Sequence, residues 1–331
     1  MTVRRLLFLL VLGGLWCGAP TPTQAAEQPG DYTVTPQLPE NQLQTTKSYF
    51  DLLVKPRQRQ TLTVTLTNTS KHPARFEVWA NPALTSDNGA IDYTQRQAPI
   101  DSTVPVDWRQ AVTLAKHRYA LVGGEKVTIP ITLNLPATTF KGRVLGGLNV
   151  VKLTPRTKGQ LTSRVGYTVA IVLQQHTAPV APELKLLKAG AQAVNKRPTL
   201  QLKFRNPAAT IIPNLKFHTT ITRQGKTYID NHANPYQVAP NTTFHLNLGL
   251  ANHAIVPGTY QAKVVATSGK FFKRKFTRTF TISRQQAAAV NRNTIHATEP
   301  DHLWRNIAIG LVAVILLGGG GWWLYRRRQA Q

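Results

Sequence analysis

The chain has 331 residues and a formal net charge of +26, from 40 Lys and Arg against 14 Asp and Glu. Its single cysteine, Cys17, lies just after the N-terminal apolar run, which leaves the rest of the chain without a disulfide framework or a cysteine metal site. So basic a chain attracts polyanions. The expected ones are teichoic acids and anionic lipid headgroups, and no nucleic acid is expected.

The N-terminus places Arg4 and Arg5 before an apolar stretch, Leu6 to Trp16, followed by Pro20, Pro22 and the small residues Ala25 and Ala26. This order reads as a cleavable signal peptide over 1–25, because the apolar run is too short to cross a bilayer. Trp16 is too bulky for the small residue that acylation at Cys17 would need. Residues 30–155 then read as a first β-sandwich. Gln60 to Thr67, Arg75 to Ala80 and Lys126 to Leu135 each alternate apolar and polar residues, and Pro130 belongs at an edge or bulge. Asp87-Asn88-Gly89 with Asp92 has the oxygen ligands a calcium loop uses, but Asn-Gly is a tight-hairpin signal and the hairpin is the preferred reading.

A polar, basic stretch around Thr154 to Gln160 marks the expected boundary, although Val165 to Leu173 could instead finish the first sheet. Residues 160–284 read as a second, basic β-sandwich without an obvious sequence repeat of the first. Leu200 to Asn206, Lys216 to Thr222, Phe244 to Leu248, Gln261 to Ala266 and Lys270 to Ile282 are its strands. Residues 285–302 read as a stalk and 303–325 as one C-terminal transmembrane helix. Ile307 to Tyr325 carries no charge, and Trp304, Trp322, Trp323 and Tyr325 sit at its ends. Gly318 to Gly321 serves a plain anchor or a dimerising face. Arg326, Arg327 and Arg328 place the tail, 326–331, in the cytoplasm and the bulk outside. The fold class is therefore all-β: two immunoglobulin-like β-sandwich domains plus one C-terminal transmembrane helix.

An exported chain without disulfides fits a Gram-positive bacterium better than an animal. On the same ground the Asn-x-Ser/Thr matches at Asn68 and Asn241 carry no glycan. No sortase-type signal precedes the apolar segment, and Leu135-Pro136-Ala137-Thr138-Thr139 reads as a strand end.

No HExxH, GxSxG or Walker pattern occurs, and no cysteine nucleophile. Gly123-Gly124-Glu125-Lys126 reads as a hairpin turn. The nine histidines are dispersed, with no ligand-spaced pair on one strand or helix, and no metal or cofactor is expected. The charge is uneven. Between Gly30 and Pro155 there are fourteen Lys and Arg against nine Asp and Glu, whereas Arg156 to Arg284 holds nineteen against two. The last hairpin concentrates Lys270, Lys273, Arg274, Lys275 and Arg278 among Phe271, Phe272 and Phe276. That cluster is either a polyanion grip or a plain solvated strand.

These motifs carry a resemblance. Tyr49-Phe50-Asp51-Leu52 with Pro56 and Gln60, Asn88 to Tyr93, Lys141 to Leu148 and Tyr167 to Ala170, followed by Asn206, Pro240 to Phe244 and Pro257-Gly258-Thr259-Tyr260, resemble the WxL-interacting proteins of Gram-positive cell surfaces. The resemblance implies a peptidoglycan-binding domain, a following host-binding domain and association with WxL-domain surface proteins. Where it leads one to expect Trp in the last hairpin, this chain has Phe271-Phe272 and a basic run. The expected role is a non-catalytic adhesion or scaffold protein on the outer face of the cell membrane. A cell-wall-active enzyme or its accessory subunit is the main alternative, and an export chaperone for surface subunits is a third reading.

Overall fold

The computed structural model describes residues 30–154, 166–250, 253–270 and 272–294. The expected signal peptide, the rest of the stalk, the membrane segment, the tail and Phe271 lie outside the described residues. Among those described, no helix is long and apolar enough to cross a membrane.

The first sandwich faces a four-stranded sheet against a five-stranded one. The four are β1 (Tyr32–Gln37), β3 (Arg59–Asn68), β9 (Lys126–Asn134) and β7 (Val112–Leu114), in that spatial order. The five are β2 (Phe50–Leu53), β11 (Gly166–Gln174), β10 (Arg143–Leu153), β4 (Ala74–Pro82) and β8 (Arg118–Leu121), with β2 parallel to β11. The alternating residues of β3 fulfil their pattern: Leu62, Val64 and Leu66 are buried, and the threonines between them face outward. Pro130 lies just past the point where β7 stops pairing with β9, so its missing N–H leaves no rung unmade.

Of the two readings left open at the boundary, the strand pairing follows the one in which the segment after it finishes the first sheet. In β11 Val169, Ile171 and Leu173 enter the first core, and the strand pairs with both β10 and β2. Those apolar residues are what draw the segment into the first sheet.

The second sandwich pairs β12 (Lys185–Val194), β13 (Arg197–Asn206) and β16 (Thr242–Gly249) with β15 (Lys226–Val238), β14 (Ile212–Arg223), β17 (Gly258–Ser268) and β18 (Phe272–Ile282). Its core is aromatic. Phe204 stands within about 6 Å, ring centre to ring centre, of Phe217, Phe244 and Phe276. Residues 285–292, expected as the start of the stalk, instead belong to helix α2 (Arg284–Arg292). Ser283 caps it by accepting from the Gln286 N–H, Ala287 and Val290 are buried in the second core, and Asn291 exchanges hydrogen bonds with the Ile255 backbone. Three anchoring residues are enough for a short amphipathic turn that reads as polar by composition.

The two sandwiches do share a sequence signature. Arg59-x-Thr61-Leu62-x-Val64-x-Leu66-x-Asn68 in β3 corresponds to Arg197-x-Thr199-Leu200-x-Leu202-x-Phe204-x-Asn206 in β13. Each terminal asparagine is fully buried. Asn68 Nδ2 donates to the carbonyls of His72, Leu121 and Val122, and Asn206 Nδ2 to those of Thr210 and Ala239. Each side-chain oxygen accepts from the backbone N–H two residues on. An amide so engaged cannot take a glycan, which agrees with the reading of the Asn68 site. Asn206→Ala would strand two carbonyls and is expected to cost about 1–3 kcal/mol of stability in denaturant unfolding. Unchanged stability would show that the clasp is not structural.

Candidate functional site

Between β4 and helix α1 (Trp108–Ala111) the chain makes an excursion, residues 83–107, around a small hairpin of β5 (Leu84–Thr85) and β6 (Ile91–Asp92). The Asp87-Asn88-Gly89 turn is this hairpin's tip. Asp92 caps the Thr94 N–H and Asn88 the Ala90 N–H, so these oxygens serve the turn.

One side of the excursion is seated on the outer face of the five-stranded sheet. Asn81 Nδ2 and Asn149 Nδ2 both donate to the Tyr93 carbonyl, at 2.8 and 2.6 Å, and Thr168 Oγ1 orients Asn149 through its side-chain oxygen. The adjacent glycines Gly146 and Gly147 make room for a ring on each face of β10. A Cβ on Gly146 would stand 2.2 Å from Trp108 in the core, and one on Gly147 would stand 3.1 Å from Tyr93 outside. Burial, with a smaller contribution from Tyr49, pushes the Tyr93 phenol up to about 12. Arg96 adds a second fastening. Its guanidinium lies 4.0 Å over the Trp79 ring and pairs with Glu77 at 2.5 Å, which holds the Glu77 carboxyl below its usual range.

The other side of the excursion holds the second sandwich. Arg205, at the end of β13, donates through Nε to Asp101 Oδ1 at 3.0 Å, and its Nη2 reaches both the same oxygen and Ser102 Oγ. Thr243 Oγ1 donates to the other Asp101 oxygen. Asn241 Nδ2 bonds the Thr103 carbonyl, His245 N–H donates to Asp87 Oδ1, Tyr236 Oη donates to the Asp87 carbonyl, and Gln237 N–H donates to the Gly89 carbonyl. A Cβ on Gly89, whose φ is +87°, would meet the Tyr236 ring at 2.6 Å, so only glycine fits both turn and contact. Asn241 therefore bridges the sandwiches, and its amide, like that of Asn68, is spoken for.

Beside this joint a cleft of about 700 Å³ opens. The excursion lines it with Ser86, Asp87, Gln95 and Ser102, and the second sandwich with Leu187, Lys203 and His245. Leu187 reaches the surface because β12 bulges between Leu186 and Lys188. Both charge signs and an apolar patch thus meet in one recess at a domain junction, the usual place for a ligand.

The basic cluster of the last hairpin does not form one ridge. Lys273 and Lys275 share the outer face of their sheet with Lys263 and Lys216, whereas Arg274 and Arg278 alternate with them onto the other side, Arg274 lying 5.5 Å over Phe272. Lys270 sits in the preceding turn. The four cations on the strand therefore split between its two faces, and the fifth lies outside it.

Burial raises the Asp101 carboxyl, but the hydrogen bonds from Arg205 and Thr103 outweigh it and hold it below the ordinary range. A group depressed in the folded state contributes stability above its unfolded pKa, near 3.9, and loses it as pH falls through the lower folded value. The joint is thus expected to weaken below about pH 4. Asp101→Asn should cost about 1.5–3 kcal/mol at neutral pH and flatten the fall in melting temperature on acidification. An unaltered acid profile would remove Asp101 from the joint's energetics.

Two family models match in sequence, one described as WxL Interacting Protein, peptidoglycan binding domain, over residues 32–152, the other as WxL Interacting Protein, host binding domain, over residues 156–292. The second takes in β11, which completes the first sandwich, and α2. Comparison with curated proteins returned no match. Among solved structures, the chain is similar to the Pseudomonas aeruginosa CupB2 chaperone at 11% identity, covering 68% of this chain and 96% of that one with a TM-score of 0.29. It is similar to the E. coli chaperone DraB at 16% identity, covering 68% and 92% with a TM-score of 0.27. A PapD-like domain of human CEP192 matches at 12% identity, covering 54% and 99% with a TM-score of 0.29. At such scores nothing about this chain follows from what those proteins do. The two matched models follow one another across most of the chain, which belongs to the WxL Interacting Protein family.

Proposed function

We propose that this chain is a non-catalytic cell-surface adhesion or scaffold protein that takes peptidoglycan into the cleft between its sandwiches. The observation that carries the reading is the cleft itself, built by the excursion of the domain matched as peptidoglycan binding and floored by the second domain. Wall peptides carry carboxylates and amines on a saccharide chain. Lys203, and Asp87 in contact with His245, bring both charge signs to the lining, Gln95 and Ser102 add neutral polar groups, and Leu187 offers an apolar contact.

The second domain would carry association with WxL-domain surface proteins and host components. Its outer lysines, Lys216, Lys263, Lys273 and Lys275, would add a charge-driven hold on teichoic acids. The signal over 1–25 and the segment at 303–325 would place both sandwiches outside the cell and tether them to its membrane, with the C-terminus inside. Several weak contacts on one tethered chain then reinforce each other by raising local concentration.

Sedimentation of the full chain with purified peptidoglycan tests the cleft. The pair Lys203→Glu and Leu187→Asp is expected to lower the bound fraction at least about tenfold in affinity, roughly 1.4 kcal/mol, with the melting temperature unchanged. Equal binding by the variant would move the site elsewhere, and release of soluble wall fragments would favour the enzymatic reading. On walls that retain anionic polymer, Lys273→Glu with Lys275→Glu should reduce the part of the binding that disappears between about 0.05 and 0.5 M salt. If that part is unchanged, the outer lysines are a solvated face only.

A further inference from the structure

We propose that the outer face of the second sandwich carries a metal site, formed by His218, Asp230 and His232, for a borderline divalent cation of the Zn²⁺ class. The sequence separates the two histidines by fourteen positions, but the β14–β15 register places His218 directly opposite His232 and Thr220 opposite Asp230. Asp230 thus stands diagonal to His218, within reach across the pleat. The ligand atoms of the three residues lie within 4.8 Å of one another, and all three are exposed.

The imidazoles stack with centroids 4.1 Å apart and planes at 11°, and one ligand atom of each lies within 4.8 Å of the other and of a carboxylate oxygen. His218 Nε2 and Asp230 Oδ1 are 2.9 Å apart, and Thr220 Oγ1 reaches the same oxygen at 3.4 Å. Metal–ligand bonds of about 2.0–2.1 Å need donor atoms about 3.3 Å apart in a tetrahedral shell. One pair is already inside that spacing, and exposed side chains can bring the third donor in by a small rotation. Imidazole with one carboxylate selects Zn²⁺, Cu²⁺ or Ni²⁺ over Ca²⁺ or Mg²⁺, and leaves coordination positions for water.

Charge makes the arrangement specific. Between Arg156 and Arg284 there are only two acidic residues, Glu183 and Asp230, and one of them is in contact with this histidine pair. The hydrogen-bond proton between His218 and Asp230 occupies the place a cation would take, so binding releases it. The groups facing the cluster are Lys216 on the same strand face and Lys263 opposite Thr220, with Val265 opposite His218. Both lysines repel a cation, so the ion is held by its ligand atoms against the surrounding charge. Because ligand atoms must be deprotonated to bind, the ion should be held less tightly in acid.

The test is titration of the full chain with ZnCl₂ by calorimetry and with CuCl₂ by electron paramagnetic resonance, with melting temperature as a third readout. One ion per chain, a nitrogen-ligated copper signal and a metal-dependent rise in melting temperature are expected. His232→Ala and Asp230→Asn should each weaken the ion at least about tenfold while leaving the metal-free melting temperature unchanged, because all three side chains are exposed. Absence of binding, or binding that survives both substitutions and so belongs to other histidines, would overturn the proposal.

Discussion

The Asp101 carboxylate, held by the Arg205 guanidinium, turns two sandwiches into one body. This pair and its neighbours Thr243, Ser102 and Asn241 fasten one end of the excursion of residues 83–107 to the second domain, as the contacts at Asp87 and Gly89 fasten the other. The pair is charge-assisted and mostly shielded from water, the condition under which such contacts are strongest. It also joins unlike partners. The first domain contributes two of its nine acidic residues, Asp87 and Asp101, to a second domain with nineteen cations and two acids.

For the clamp to work, the excursion must be stiff. That stiffness traces back to small residues placed where larger ones would collide. Gly146 lets Trp108 lie against the inside of β10, and Gly147 lets Tyr93 lie against the outside, where two asparagine amides take the Tyr93 carbonyl. Arg96 fastens the segment again through Trp79 and Glu77. The excursion is therefore tied on one side to a rigid sheet and on the other to the second domain, and the cleft is the space left beside it. A binding surface made of loop residues gains precision when both ends of the loop are fixed in this way.

Much of the architecture was legible from alternation alone. Threonine-rich β3 and the strands of the second domain repeat with period two because each buries one face, and no other element type tolerates that pattern. The resemblance was legible too, in Gly146-Gly147, Asn88-Gly89 and Tyr93. What those residues do was not, since each acts on a partner distant in sequence: Trp108, Tyr236 and Asn149. The Arg-x-Thr-Leu signature that ends in Asn68 and Asn206 was present in the letters, but its meaning depends on carbonyls gathered by folding. The β11 assignment remained open because an apolar run does not say which of two cores it enters, and α2 was missed because only Ala287 and Val290 mark its buried side. The histidines were judged along single strands, whereas His218 and His232 meet across a strand pair.

The claim on which the rest stands is that the excursion locks the two sandwiches in one relative orientation. Spin labels introduced in the full chain at exposed Lys126 of the first sandwich and Lys270 of the second would report it through the distribution of distances between them. The clamp predicts a single narrow distribution that broadens when Arg205 is replaced by alanine. A distribution already broad in the unsubstituted chain would contradict it.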